Sequence, residues 1–193
     1  ISEHNGPVVS AAATDVGCVR ERNEDSVLSA AEVGLWAVAD GMGGHRHGKR
    51  ASLAVVDALD ELAAAEQGVA LARAIPETLR ASNRGIRAWS GYDQDALSGT
   101  TVVVLVLEMD RYHCFWVGDS RAYRFRGGGL EQLTRDHTTA GAAASHGDAA
   151  TPSARPMLTR AVGAFDRLEV DYCSGIVYEG DGFLLCSDGL SEV

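Results

Sequence analysis

Ala39-Asp40-Gly41-Met42-Gly43-Gly44 is the stretch around which the rest of the chain is organised. The run before it, Gly34-Leu35-Trp36-Ala37-Val38-Ala39, has the length and apolar character of a buried strand. After it, His45-Arg46-His47-Gly48-Lys49-Arg50 leads into an amphipathic helix. This order sets the carboxylate of Asp40 at the end of a buried strand, beside glycines that allow other groups to approach the backbone closely. A carboxylate in that position is expensive to desolvate unless a cation or several donors compensate it. Phe115-Trp116-Val117-Gly118-Asp119-Ser120 and Phe183-Leu184-Leu185-Cys186-Ser187-Asp188-Gly189 repeat the design. Three strand-end aspartates, Asp40, Asp119 and Asp188, point to one shared cation site.

Upstream, Val8 to Ala13 is small and apolar and is expected to form an edge or first strand. Charge is dense from Cys18 to Asp25, and dense charge is ordinarily a solvated face. Here Ser26-Val27-Leu28 resumes an apolar pattern at once, so Glu24 and Asp25 are pinned at a strand start. Downstream, Leu53, Val56, Leu59, Leu62 and Ala63 have the spacing of a helix with one buried face, ended by Gly68. Ile75, Leu79, Ile86 and Trp89 mark a second helix, in which Pro76 is tolerable only near the first turn. These helices are expected to be antiparallel neighbours.

Val102 to Leu107 is apolar on both faces and reads as a central strand. Arg111 to Val117 and Arg121 to Arg126 flank Gly118-Asp119-Ser120 as if in a hairpin, and the short turns favour antiparallel pairing. His137 to Ala154 is rich in small residues without periodicity and reads as a mobile excursion. Strand character returns at Leu168-Glu169-Val170 and Phe183-Leu184-Leu185. Strand runs with helices grouped between them predict an α+β fold.

With 193 residues, 46% of them hydrophobic, the chain can bury one sizeable core. Its 17 Lys and Arg against 27 Asp and Glu give a net charge of −10, which argues against nucleic acid and anionic membrane as partners. Cys18, Cys114, Cys173 and Cys186 form no C-x-x-C pair and read as free thiols of a reducing compartment. No apolar run approaches the roughly 18–20 residues of a membrane span, and Ile1 to Val8 lack a signal-peptide pattern. A cytoplasmic location is the expectation.

Two chemistries compete for the glycine-rich centre. Gly43-x-x-x-x-Gly48-Lys49 fits most of a phosphate-cradling loop, but Arg50 stands where Ser or Thr must reach magnesium, and Asp40 would lie close to the phosphate. The other chemistry is a carboxylate-bound pair of Mg²⁺ or Mn²⁺ ions, which oxygen ligands suit. Two such ions roughly 3.5–4 Å apart can share an aspartate and activate water towards a phosphate ester. An arginine would clamp the phosphate, and Arg20, four residues before Glu24, is the candidate.

Taken together, Val19-Arg20-x-x-Asn23-Glu24-Asp25, Ala39 to Gly44, Ser98-Gly99-Thr100-Thr101, Val117 to Arg121, Leu133-Thr134-Arg135-Asp136-His137 and Cys186 to Leu190 form an ordered set. In that order the chain resembles the metal-dependent protein serine/threonine phosphatases of the 2C type, the PPM family, in their bacterial form. The resemblance covers nearly the whole chain, and six motifs in order are specific where any one is weak. It implies a four-layer α/β/β/α sandwich, two antiparallel β-sheets flanked by helix pairs. It implies that Asp40 bridges two ions, that Glu24 and the Gly41 carbonyl complete one, and that Asp188 holds the other. Asp25 would orient metal-bound water, Arg20 would bind the phosphate, and Asp119 would help hold a third ion. A hydroxide bridging the metals, not a side chain, would be the nucleophile. The implied partners are phosphorylated proteins and an opposing serine/threonine kinase.

Three features depart from the family pattern. Met42 stands where many eukaryotic members have a histidine that protonates the leaving group, with His45 or water as substitutes. The excursion over 137–157, where the family has its flap, is short and Ala/Gly-rich. The family's last metal-binding aspartate, beyond Ser-Asp-Gly, has no counterpart, so residues 1–193 are expected to be a single catalytic domain lacking its C-terminal segment. The competing reading is a phosphoprotein-binding or sensor domain of the same fold, impaired in turnover.

Overall fold

The computed structural model describes residues 8–18, 21–43, 47–90, 98–139, 141 and 157–191. Strands β1 (Asp25–Ala30) and β2 (Leu35–Met42) precede two long helices, α1 (His47–Ala65) and α2 (Gly68–Ser90). The short β3 (Gly99–Thr100), then β4 (Val102–Glu108), β5 (Arg111–Val117), β6 (Arg121–Arg126) and β7 (Gly129–Gln132) follow. Strands β8 (Asp171–Ile176) and β9 (Gly182–Cys186) and a single-turn helix α3 (Asp188–Ser191) complete the order. A six-stranded sheet has the order β1-β2-β4-β5-β8, with β3 beside β2, and a three-stranded sheet has the order β7-β6-β9. Every pairing between these strands is antiparallel. The α+β reading and the two-sheet architecture hold.

Strand β4 explains why a sheet protein needs an unbroken apolar run. Val102, Val104 and Val106 pack towards Val55, Leu59, Leu71, Ile75, Leu79 and Ile86 of the helices. Val103 and Leu105 point the other way, into a cluster with Tyr112, Cys114, Trp116, Phe183 and Leu185 between the sheets. A strand with period-2 side chains can be apolar at every position only if both faces are covered.

Several sequence expectations shift. Residues 8–13 form no strand; Val8 is 56% and Val9 92% exposed, and a run of Val, Ala and Ser has little apolar surface to bury. Gly68 does not close α1 so much as open α2. Pro76 lies well inside α2, not in its first turn. The helix survives the lost N–H because Leu71, Ile75 and Leu79, buried on either side of it, anchor both turns to the sheet. Leu53 faces outward, and Ala51, Ser52 and Val55 take the buried stripe instead. Leu168 to Val170 lie outside any strand; the strand begins at Asp171. Most consequentially, β5 and β6 are no hairpin: β5 pairs with β4 and β8, and β6 with β7 and β9. Gly118-Asp119-Ser120 is a crossover between the sheets.

All four cysteines are free thiols, with Cys18 exposed and Cys114 and Cys186 buried. No helix among the described residues is long and apolar enough to cross a membrane.

Candidate metal centre

Asp40 lies within β2, two residues from its end, where the strand changes partner. Leu35 to Val38 pair with β4, whereas Gly41 and Met42 pair with Thr100 and Gly99 of β3. Thr100 and Thr101 serve the backbone of Asp40 at this switch. The Thr101 amide and the Thr100 hydroxyl each donate to the Asp40 carbonyl at 2.9 Å, and the Asp40 amide donates to Thr101 Oγ1 at 3.2 Å. Backbone groups held this way fix the direction in which the Asp40 side chain leaves the strand.

Asp25 stands opposite Asp40 in the β1–β2 ladder. Its amide donates to Asn23 Oδ1 at 2.9 Å, and its carbonyl accepts from Lys49 Nζ at 2.5 Å. Ser187 Oγ donates to Asp25 Oδ2 at 2.7 Å, which brings the end of β9, and with it Asp188, against the first sheet. Asp188 opens α3. The Glu24 carbonyl accepts from the Gly41 amide at 3.3 Å and from Ser52 Oγ at 2.6 Å.

Gly41 and Gly48 face each other without side chains. A Cβ on Gly41 would meet the Gly48 carbonyl oxygen at 2.1 Å, and one on Gly48 would meet Glu24 Oε1 at 2.8 Å and the Gly41 carbonyl oxygen at 2.9 Å. Glu24 Oε1 and the Gly41 carbonyl thus converge on one small volume that glycine alone leaves clear. The same contact counts against the phosphate-cradling loop, since Gly48 is taken up in packing against Gly41.

Burial, followed by the neighbouring charges of Asp25 and Asp188, pushes the Asp40 carboxyl up to about 8, and its carboxyl hydrogen-bonds to both neighbours. Among the described residues, no three His, Cys, Asp or Glu side chains stand in a ready metal-ligating group. The Asp40 carboxyl instead contacts those of Asp25 and Asp188, as a shared proton allows and as a divalent cation would replace. Glu24 Oε1 is buried without a hydrogen-bond partner, the condition of a ligand lacking its ion. An orphaned carboxylate oxygen, a converging backbone carbonyl and mutually repelling aspartates fit Mg²⁺ or Mn²⁺, which take oxygen donors.

Asp119 is half-buried on the crossover between the sheets. Its turn joins the site through Ser120 Oγ, which lies 2.6 Å from Thr101 Oγ1. Arg20 and His45 fall outside the described residues, as does most of the 137–157 excursion. The sequence reading missed Gly48, Lys49, Ser52 and Ser187 as supports of the site. Gly48 and Lys49 stand in the sequence only as part of a loop motif and Ser187 only as the neighbour of Asp188, while Ser52 carries no pattern that sequence spacing reveals.

The family model for protein phosphatase 2C matches residues 19–193. The serine/threonine protein phosphatase PstP of Mycobacterium tuberculosis is 37% identical over 188 residues, covering 94% of this chain. The chain spans only 36% of that relative's length. Among solved structures, PppA of Pseudomonas aeruginosa superposes with a TM-score of 0.86 at 41% identity, covering 93% of this chain and 76% of that one. The catalytic domain of PstP, solved in complex with two manganese ions, superposes with a TM-score of 0.82 at 37% identity, covering 94% and 78%. An α+β fold of two antiparallel sheets, with aspartates meeting where the sheets meet, is the architecture of a PPM phosphatase domain, and the chain belongs to the protein phosphatase 2C family.

Proposed function

We propose that this chain is a metal-dependent protein phosphatase that hydrolyses phosphoserine and phosphothreonine in phosphorylated proteins. The observation that carries the reading is Asp40, half-buried beside Asp25 and Asp188 and raised to about 8, near an orphaned Glu24 oxygen. Such a group is stable only with a proton or a cation among its members. The manganese pair of the PstP catalytic domain supports the cation.

Glu24, Asp40, the Gly41 carbonyl and Asp188 are the residues that would hold two core ions, Mn²⁺ or Mg²⁺. Asp119 is assigned to a third. Bound divalent ions supply charge neutralisation of the phosphate and acidification of water. Asp25, its Oδ2 fixed by Ser187, is a positioning residue that orients water through its remaining oxygen. Lys49 holds the Asp25 carbonyl and so sets the start of β1. Arg20 is the phosphate clamp. An opposing serine/threonine kinase is the implied partner in the pathway. Residues 1–193 belong to one catalytic domain.

Calorimetric titration with MnCl₂ and hydrolysis of a phosphothreonine peptide test the reading together. Two ions bound with manganese-dependent release of phosphate is the expected result. Two ions bound with no release would favour the binding-domain alternative, and no ion bound would overturn the metal-dependent phosphatase. Arg20→Ala should raise KM with a smaller loss in kcat, as expected of a clamp that acts in ground and transition state alike.

A further inference from the structure

The segment Leu133-Thr134-Arg135-Asp136-His137 has no assigned part in the chemistry, yet the structure wraps it around the crossover that carries Asp119. The Gly118 amide donates to His137 Nδ1 at 3.1 Å, and the His137 amide donates to the Gly118 carbonyl at 2.9 Å. Both backbone polar groups of Gly118 are therefore held by one residue. On the other side of Asp119, the carboxylate of Asp136 accepts from Arg121 Nη2 at 2.6 Å and from Arg121 Nε at 3.0 Å. Ser120 is held by Thr101, which also holds the Asp40 amide.

Gly118 suits this grip. Its φ is +106°, and a Cβ there would meet Thr101 Cβ and Cγ2 at 2.6 Å. The turn lies flat on Thr101 on one face and offers its bare amide to His137 on the other.

His137 is itself over-determined. It is 7% exposed, stacks on Trp116 with ring centroids 6.2 Å apart, and places Nε2 3.2 Å from Asp171 Oδ2. Because Nδ1 accepts from Gly118, the ring proton sits on Nε2, facing Asp171. Burial lowers the readiness of the ring to take a second proton. The His137 carbonyl accepts from the Thr159 amide at 2.8 Å, and Thr138 bridges to Leu158. The two ends of the 137–157 excursion are thus zipped together at the residue that grips Gly118.

We propose that His137 is a positioning residue for Asp119, fixing the crossover through Nδ1 so that the aspartate is presented to a third divalent ion. This rests on the reading of Asp119 as a ligand for that ion. It adds that the stem of the excursion and the ion site share one anchor. The bland alternative is a buried histidine that stabilises the core and has no bearing on the ion.

The test uses four variants of the whole chain, three at His137 and one at Asp119. Asn can place its Oδ1 where His Nδ1 accepts, Gln places its oxygen nearer the Nε2 position, and Leu keeps bulk with no acceptor. Manganese stoichiometry and affinity are measured by calorimetry, with amide exchange at Gly118 as a second readout independent of turnover. His137→Leu should keep the two core ions, weaken the third by about ten- to a hundredfold and lose protection at Gly118. His137→Asn should stay within about threefold of the parent on the third ion, and His137→Gln should resemble the leucine variant. If the leucine variant fails to fold, the contrast between Asn and Gln decides, and equal third-ion affinity in the two overturns the proposal. Asp119→Asn separates the two layers of the argument. If it retains the third ion, the reading of Asp119 falls and this proposal with it. If it loses the ion while His137→Leu retains it, only the positioning role is overturned.

Discussion

The two sheets are unequal. In the larger sheet Val102, Val103, Val104 and Val106 are wholly buried, covered by α1 and α2 on one face and by the smaller sheet on the other. In the smaller sheet Phe125 is 49%, Leu130 64% and Leu184 44% exposed. Glu24, Asp25, Asp40 and Gly41 belong to the well-covered side, and Asp188 follows the last strand of the open one. A site split in this way takes its fixed geometry from one sheet and its completion from the docking of the other. The Ser187–Asp25 hydrogen bond spans that division.

The sharpest break in the comparison is Asp40→Asn. It should reduce turnover of an aryl phosphate by about 10³-fold or more, since a neutral amide cannot balance two dications. A variant within tenfold of the parent would remove Asp40 from the centre of the site. Next is Leu35→Ala in β2, wholly buried, which should lower unfolding free energy by about 2–5 kcal/mol in urea titrations.

The pH dependence is smaller and has a definite sign. Asp40 in the metal-free fold holds its proton up to about 8, whereas the unfolded chain releases it near the ordinary value of 3.8. Between those values the folded state binds the extra proton, so this group's stabilisation is fully present below the unfolded value and is lost as pH rises towards 8. The metal-free parent should therefore lose Tm relative to Asp40→Asn from pH 5 to pH 8, and saturating manganese should remove the difference. A gap that stays constant with pH would show that burial and the two neighbouring carboxylates do not govern Asp40. Smallest is Leu184→Ala on the open sheet, expected to change stability by no more than about 0.5 kcal/mol. A cost like that of Leu35→Ala would mean that the outer face of the smaller sheet is covered after all.

Much of this contrast was legible in the residues. The unbroken apolar run of Val102 to Leu107 announced a strand buried on both faces, and the Asp-Gly strand ends announced where charge would gather. Glu24 and Asp25 at a strand start were equally plain. Partner choice was not legible. Nothing local distinguishes a tight hairpin at Gly118-Asp119-Ser120 from a crossover, because the same glycine serves either turn and the decision is made by distant β8 and β9. Pro76 misled for the same reason, its local penalty being overridden by tertiary packing of Leu71, Ile75 and Leu79. The supports of the site, such as Ser187 for Asp25, span 162 positions of sequence and leave no periodic trace.

The crossover also has a temporal meaning. The β1–β2, β4–β5 and β6–β7 ladders join strands that are close in sequence and can close early. The β6–β9 ladder, which pairs Arg121 with Cys186, must wait for a long loop to close, and the entropy of that closure is lost before any contact compensates it. Asp188 is therefore expected to reach Asp25 and Asp40 only late in folding. A cation that needs all of them cannot act as a template for the early chain and can only capture a fold already made. Manganese should then slow unfolding severalfold while leaving the refolding rate nearly unchanged, as expected of contacts absent from the transition state. Stopped-flow refolding accelerated by the metal would instead place the meeting of the two sheets near the start of the pathway.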